Sequence, residues 1–301
     1  MSVDLKKITT EGRNSNTFDI DVLPTIDILK KINKEDQTVA FAVEKALPQI
    51  AILVDKVVET FHKNGRLIYM GAGTSGRIGI IDAVECRPTF SVSDEMVTCL
   101  MAGGEKALVK AVEGAEDSTE MAVKDLVNIK VNESDIVVGI TASGRTPYAV
   151  AGVEYAKKVG ATTGCITTSS NSEISRVSDY PIEAITGPEP ITGSTRMKSG
   201  TAQKLICNLI TTTSMIKMGK VYENLMIDVQ PTNKKLVTRA QNIVMEITGV
   251  SRDQAQASIE KFGSVKNSIF SILTNIESVE QVNEYLTQAN GHIRNAIKLV
   301  K

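Results

Sequence analysis

Between Arg66 and about residue 184 the chain alternates short apolar runs with longer amphipathic stretches. The apolar runs Leu67–Met70, Met96–Met101, Ile136–Ile140, Thr163–Thr167 and Pro181–Ala184 predict strands, because buried parallel strands read as near-continuous apolar segments. Between them, Arg77–Cys86, Glu105–Val127, Tyr148–Val159 and Ser172–Val177 predict helices. This alternation points to an α/β fold: a doubly wound, mostly parallel sheet flanked by helices on both faces. Such sheets bind ligands beyond the carboxyl ends of their strands.

The flanks read differently. Residues 1–22 are polar and irregular. Thr25–Asn33 and Glu35–Asn64 predict helices. The second carries Val39, Val43, Leu47, Ile50, Leu53, Val54 and Val57, largely at three- and four-residue steps, and Gly65 ends it. Pro48 is expected to kink or divide it. A further helix starts near Ser199 and runs to about Met218, and 222–232 reads as a connection broken at Pro231. From Lys234 short helices are punctuated by Gly249, Gly263, Asn275 and Gly291, with capping patterns at Ser251/Gln254 and Ser278/Gln281. The expected organisation is a helical segment over 1–65, a ligand-binding domain over 66–222 and a small all-helical C-terminal domain over 234–301.

Composition narrows the classes. A net charge of −1 with mixed signs gives no electrostatic case for nucleic acid, and 4% aromatics without Trp gives no stacking platform. The four cysteines, Cys86, Cys99, Cys165 and Cys207, form no C-x-x-C pair, which argues against structural zinc and disulfides and fits a reducing cytoplasm. The first residues carry no apolar leader, and no run of 18 apolar residues suggests a membrane span.

Three hydroxyl-rich segments sit at strand ends or helix starts. The first, Gly71-Ala72-Gly73-Thr74-Ser75-Gly76-Arg77, follows a strand and opens a helix. It lacks the Lys of a Walker A loop. It fits the letters G-x-G-x-x-G, but no acid closes the next strand after Met96–Leu100, so a sugar-phosphate cradle built by Gly73, Thr74, Ser75, Gly76 and Arg77 competes with a dinucleotide site and with a plain tight turn. The second, Thr141–Pro147, offers Ser143, Gly144, Arg145 and Thr146; it repeats the Ser-Gly-Arg triplet of the first and reads as a second phosphate or sugar contact, or as an ordinary helix cap. The third, Thr192–Thr201, opens a helix with Ser194 and Thr195 and adds two cations, Arg196 and Lys198, which either close the site over an anion or are ordinary solvated charges.

Two carboxylates stand out. Glu85 lies in an isoleucine-rich helix, where burial would raise its pKa and let it hold a proton. Glu116 lies in a Glu113–Ser118 stretch, where Glu113 and Glu116 share a helix face if the helix survives Gly114. Acid–base chemistry needs two such groups on opposite sides of a substrate. With only His62 and His292, and no His/Cys/Asp/Glu grouping, neither a nucleophilic triad nor a metal site is expected.

Taken together, Thr10–Asn14, Gly71–Phe90, Gly103–Glu105 with Glu113–Ser118, Ala142–Tyr148 and Gly193–Lys204 resemble the N-acetylmuramic acid 6-phosphate etherase family of the sugar isomerase (SIS) superfamily, over nearly the whole chain. The resemblance implies an SIS-type sheet, a sugar-phosphate substrate, a homodimer and no metal or redox cofactor. It implies lyase chemistry that splits a lactyl ether, with Glu85 as proton donor and Glu116 as base. The chain departs from the family pattern Ser-Glu-Cys-Pro-Pro, reading Val84-Glu85-Cys86-Arg87-Pro88. Val84 removes a hydroxyl beside the acid, and a cation at Arg87 would lower its pKa. A sugar-phosphate sensor without catalysis and a ketose–aldose isomerase are the competing classes.

Overall fold

The computed structural model describes residues 9–110, 112–229 and 234–300. The chain divides into two compact units. One is the chain through Val84 together with Asp94–Thr211; the other is Glu85–Ser93 together with the chain from Thr212 onward.

In the first unit, 3-10 turns at Thr9–Glu11, Ser15–Thr17 and Ile20–Val22 lead into α1 (Thr25–Lys45) and α2 (Leu47–His62). The break expected at Lys34 is absent, since no Gly or Pro interrupts the helix there. It falls at Ala46, and the two helices are bent by 59°. Pro48 belongs to the first turn of α2, where its missing N–H would have no helical partner in any case.

The sheet follows: β1 (Leu67–Gly71), α3 (Gly73–Phe90), β2 (Val97–Met101), α4 (Lys106–Val109), α5 (Thr119–Asn128), β3 (Ile136–Ile140), α6 (Pro147–Lys158), β4 (Thr162–Thr167), α7 (Glu173–Val177), β5 (Tyr180–Glu183) and α8 (Lys198–Lys217). All five strands are parallel in the order β2-β1-β3-β4-β5. Ile68, Met70 and Val137 pack on one face with Ala122 and Leu126 of α5 and with Tyr148 and Ala156 of α6. On the other face, α3 lies so close that a Cβ at Gly79 would sit 3.1 Å from Tyr69 Cβ, and α2 brings Leu53 against Gly164. Each fully buried Leu, Ile or Met stabilises the sheet by about 1.5–3 kcal/mol. At the amino end of the sheet, Arg66 ties β1 to β3: its Nη2 lies 2.6 Å from Asp135 Oδ2 and its Nε 3.0 Å from Oδ1.

Two helices differ from the sequence reading. α3 begins at Gly73 and runs through Pro88 to Phe90, so the glycine loop is itself the first helical turn. The helix expected over 105–127 is interrupted. Gly114 takes φ 72°, which ends helical geometry and sets up a 3-10 turn at Ala115–Asp117; Ser118 then caps α5 by accepting the Met121 N–H at 3.1 Å.

In the second unit, β6 (Val221–Tyr222) and β7 (Leu225–Met226) pair antiparallel within the expected connection; Pro231 lies outside the described residues. Helices α9 (Lys234–Thr248), α10 (Arg252–Phe262), α11 (Val265–Thr274), α12 (Val279–Gln288) and α13 (Ile293–Val300) close on Val244, Ile269, Phe270 and Val282. Ser251 and Gln254 form both halves of a capping box, and Gly263 and Asn275 end their helices in the left-handed region.

Candidate functional site

β1 and β3 are neighbours although β2 separates them in sequence, so strand order reverses between them. Gly71 pairs with Ile140, and the segments leaving both strands therefore emerge side by side. At such a reversal the connecting helices leave on opposite faces and open a crevice. A cavity of about 350 Å³ fills it.

Its first wall is the start of α3. A Cβ at Gly76 would lie 2.7 Å from Gly71 O and 2.8 Å from Met101 Cγ, so only glycine lets the helix begin this close to the strand. Gly73, Thr74 and Ser75 line the cavity with the unpaired N–H groups of a first turn. Ser75 Oγ donates to Gln203 Oε1 at 2.9 Å, which leaves its lone pairs for a ligand donor. Gly76 stands behind this wall. Arg77 is turned away from it, with Nε donating to Leu108 O at 3.1 Å and Nη2 to Ala107 O at 2.6 Å.

The second wall is the β3–α6 loop. Thr141 Oγ1 and Thr146 Oγ1 are hydrogen-bonded at 2.8 Å, with either hydroxyl able to donate, and Ser143 Oγ accepts the Arg145 N–H at 3.4 Å. Ser143, Arg145 and Thr146 line the cavity. Gly144 does not line it; at φ 70° a Cβ there would be 2.2 Å from Ser172 Cβ. Pro147 opens α6, and the buried Tyr148 beyond it donates to Asp125 Oδ2 at 2.6 Å.

The third segment is arranged differently from expectation. The N-terminus of α8 already holds an anion of its own: buried Glu189 accepts Lys198 N–H at 2.8 Å through Oε2 and Ser199 N–H at 2.9 Å through Oε1. Lys198 does not reach the cavity, because its ammonium is 2.8 Å from Glu35 Oε2 and 3.2 Å from Pro188 O. Gly193 and Thr195 line the cavity and Ser194 does not.

The acids are also redistributed. Glu116 is exposed on its 3-10 turn and lines the cavity with Asp117 and Glu11. It also borders a second cavity of about 260 Å³, which shares Ala72 and Gly73 with the first and contains Glu113 and Arg77. Glu113 and Glu116 thus meet around a cavity, not on one helix face. Glu85 belongs to the second unit, is exposed and lines neither cavity, so of the two environments open to it in the sequence the exposed one is found. On α3 it is Asp82, Ala83 and Cys86 that are buried, while Ile81 and Val84 are 64% and 63% exposed.

Sequence reasoning did not select Glu11, Asp117, Glu189 or Gln203. Glu11 stood within the Thr10–Asn14 segment and Asp117 beside Glu116, so both had a local signal. Gln203 likewise stood within the Gly193–Lys204 segment, whereas Glu189 had no signal, because its partners are set by tertiary packing.

The fold and the crevice define an SIS-domain protein. The family described as the SIS domain matches residues 107–213, and the glucokinase regulatory protein N-terminal SIS domain matches residues 49–157. Among curated relatives, N-acetylmuramic acid 6-phosphate etherase of Vibrio campbellii is 50% identical over 98% of this chain and 96% of its own length. The proteins of that name from a Geobacillus species and from Pasteurella multocida are each 54% identical over 98% of this chain, covering 100% and 98% of their own lengths. The chain belongs to the N-acetylmuramic acid 6-phosphate etherase family.

Proposed function

We propose that this chain cleaves the D-lactyl ether of N-acetylmuramic acid 6-phosphate by elimination and hydration, giving N-acetylglucosamine 6-phosphate and D-lactate. The observation that carries the reading is Glu116: it stands in the hydroxyl-lined crevice at the β1/β3 reversal, in a chain with whole-length identity to etherases. Whole-length relatives at 50–54% identity that are etherases favour this reading over a sensor or an isomerase.

The phosphate binds where donors are dense and acids are not. The α3 start with its backbone N–H groups and the Thr74 hydroxyl, and the loop bearing Ser143, Arg145 and Thr146, supply N–H groups, hydroxyls and a cation. Repulsion from Glu11, Glu116 and Asp117 directs the sugar carbons toward the acids. In the open-chain sugar the C2 hydrogen is α to the C1 aldehyde. Glu116 removes it, and the C3–O bond breaks as Glu85 gives a proton to the lactyl oxygen. Water then adds at C3 and a proton returns to C2. Phosphate contacts act as a handle remote from the reacting carbons.

In this reading the enzyme is a homodimer. Glu85, exposed beside Ile81 and Val84, is then offered by one copy to the crevice of the other. All four cysteines are free thiols, which suits a cytoplasmic enzyme of cell-wall amino-sugar recycling. The deciding experiment is incubation of the purified protein with N-acetylmuramic acid 6-phosphate; no D-lactate would sink the proposal.

A further inference from the structure

We infer that the second cavity is the seat of the leaving group: it takes the lactyl side chain of the substrate, and Arg77 pairs with the lactyl carboxylate. The inference rests on the etherase reading and assigns a part of the site that the phosphate contacts leave unused.

The two cavities share Ala72, Gly73 and Glu116 and nothing else, so these residues form the neck between them. A substrate with its phosphorylated sugar in the larger chamber and a three-carbon acid in the smaller one places the C3–O bond in that neck. There it lies beside Glu116, which attacks the adjacent C2 hydrogen. The smaller chamber suits a methyl-bearing carboxylic acid. Met101, Ala102, Ala107 and Ala115 give it an apolar lining. A Cβ on Gly103 would come within 3.1 Å of Ala107 Cβ, so that wall is closely packed.

Arg77 is the cation on this lining. Two of its nitrogens are committed to the carbonyls of Ala107 and Leu108, which fixes the guanidinium plane; Nη1 has no hydrogen-bond partner among the described residues. Glu113 and Glu116 are the opposing charges. They repel an anionic ligand and so confine its carboxylate to the Arg77 side. A guanidinium held in plane is suited to a carboxylate.

The test compares two ligands that differ only in the lactyl group. N-acetylmuramic acid 6-phosphate is assayed for kcat/KM, and N-acetylglucosamine 6-phosphate for its inhibition constant. Arg77→Met should lower kcat/KM by about 10- to 100-fold, the size of a lost charge-assisted hydrogen bond, and leave the inhibition constant within about threefold. Equal weakening of both ligands would mean that Arg77 only supports α4, and no change in either would mean that the lactyl group lies elsewhere; both results overturn the assignment. Val112→Phe narrows the same chamber from its exposed side and should show the same split. If Arg77→Met fails to fold, that variant decides alone: an unchanged kcat/KM refutes the subsite. A parent protein that releases no lactate refutes the etherase reading, and this one with it.

Discussion

Lys198 Nζ lies 2.8 Å from Glu35 Oε2, and both side chains are almost withdrawn from water, at 4% and 8% exposed. The pair joins α1 to the first turn of α8. Asn16 Nδ2 supports it by donating to Glu35 Oε1 at 2.8 Å. Removing one partner of a buried pair leaves an uncompensated charge, so Lys198→Met should lower the unfolding free energy by about 3–5 kcal/mol. Burial alone would raise the Glu35 pKa, but the Lys198 ammonium and the Asn16 and Asn14 amides outweigh it and hold it below 4.5. A depressed carboxyl pKa stabilises above the unfolded value and ceases to do so as pH falls through the folded one. The gap between parent and variant in urea melts should therefore be full near pH 7, begin to close as pH falls through the raised Glu35 pKa of the variant, and close further below pH 4.5 as the parent's own carboxylate is protonated. A gap that is constant with pH would mean that Glu35 does not titrate with folding.

Asp82 has the opposite sign. Burial raises its pKa, against the lowering effect of hydrogen bonds from Asn208, Thr211 and Tyr69. The native state then holds a proton that the unfolded chain releases, so this residue's contribution to stability falls as pH rises from 3.8 through the raised value. Asp82→Asn keeps an acceptor for Asn208 Nδ2, now at 2.6 Å from Oδ1, and should remove that slope. Parent and variant melts that run parallel from pH 3.5 to 7 would contradict this.

Gly144→Ala should both destabilise the fold and weaken phosphate binding. The position has φ 70°, and its new Cβ would meet Ser172 Cβ and Oγ at 2.2 and 2.3 Å. Left-handed backbone and overpacking each cost about 1–3 kcal/mol. The displaced loop carries Ser143 and Thr146, so KM should rise more than kcat falls. A parent-like melt and KM would show that the loop yields without loss.

Glu116→Gln should stop exchange of the C2 hydrogen with deuterated solvent, whereas Glu85→Gln should keep some exchange while lactate release falls by about 10²–10⁴-fold. If one copy lends Glu85 to the other's crevice, mixing the two inactive variants rebuilds intact sites in mixed dimers. Lactate release should then recover toward about a quarter of the parent rate after subunit exchange, because half of random dimers are mixed and each has one intact site. No recovery, with exchange of subunits demonstrated, would place both acids in one copy's site.

The strands were legible because parallel strands are buried on both faces and leave uninterrupted apolar runs: Ile136–Ile140 is bounded identically in sequence and structure. Helix limits were less so. Pro48 signalled the division of α1 from α2, which falls two residues earlier at Ala46, and Gly114 marked a weak point in the helix expected over 105–127, but no spacing rule requires the left-handed conformation that interrupts it. In the site, Thr74, Ser75, Ser143 and Thr146 could be named because strand end, hydroxyls and helix start are adjacent in the chain. Lys198 read as a free cation because its partner Glu35 is 163 residues away. For Glu85 the isoleucines around it in sequence left burial open beside exposure, and α3 turns Ile81 outward with it.

Glu189 has a consequence for how a ligand is received. With its carboxylate holding Lys198 N–H and Ser199 N–H, the α8 start is satisfied by the protein's own side chain. The adjoining Gly193–Thr195 segment is tied in by backbone bonds, Ser194 N–H to Ile191 O and Gly200 N–H to Thr195 O, each 3.0 Å. Ordering backbone on association costs about 1–2 kcal/mol per residue, and this part of the crevice avoids it. An incoming sugar phosphate meets a wall whose backbone is already held by the protein's own hydrogen bonds, so the free energy of its contacts there appears as affinity instead of being consumed in arranging the receptor.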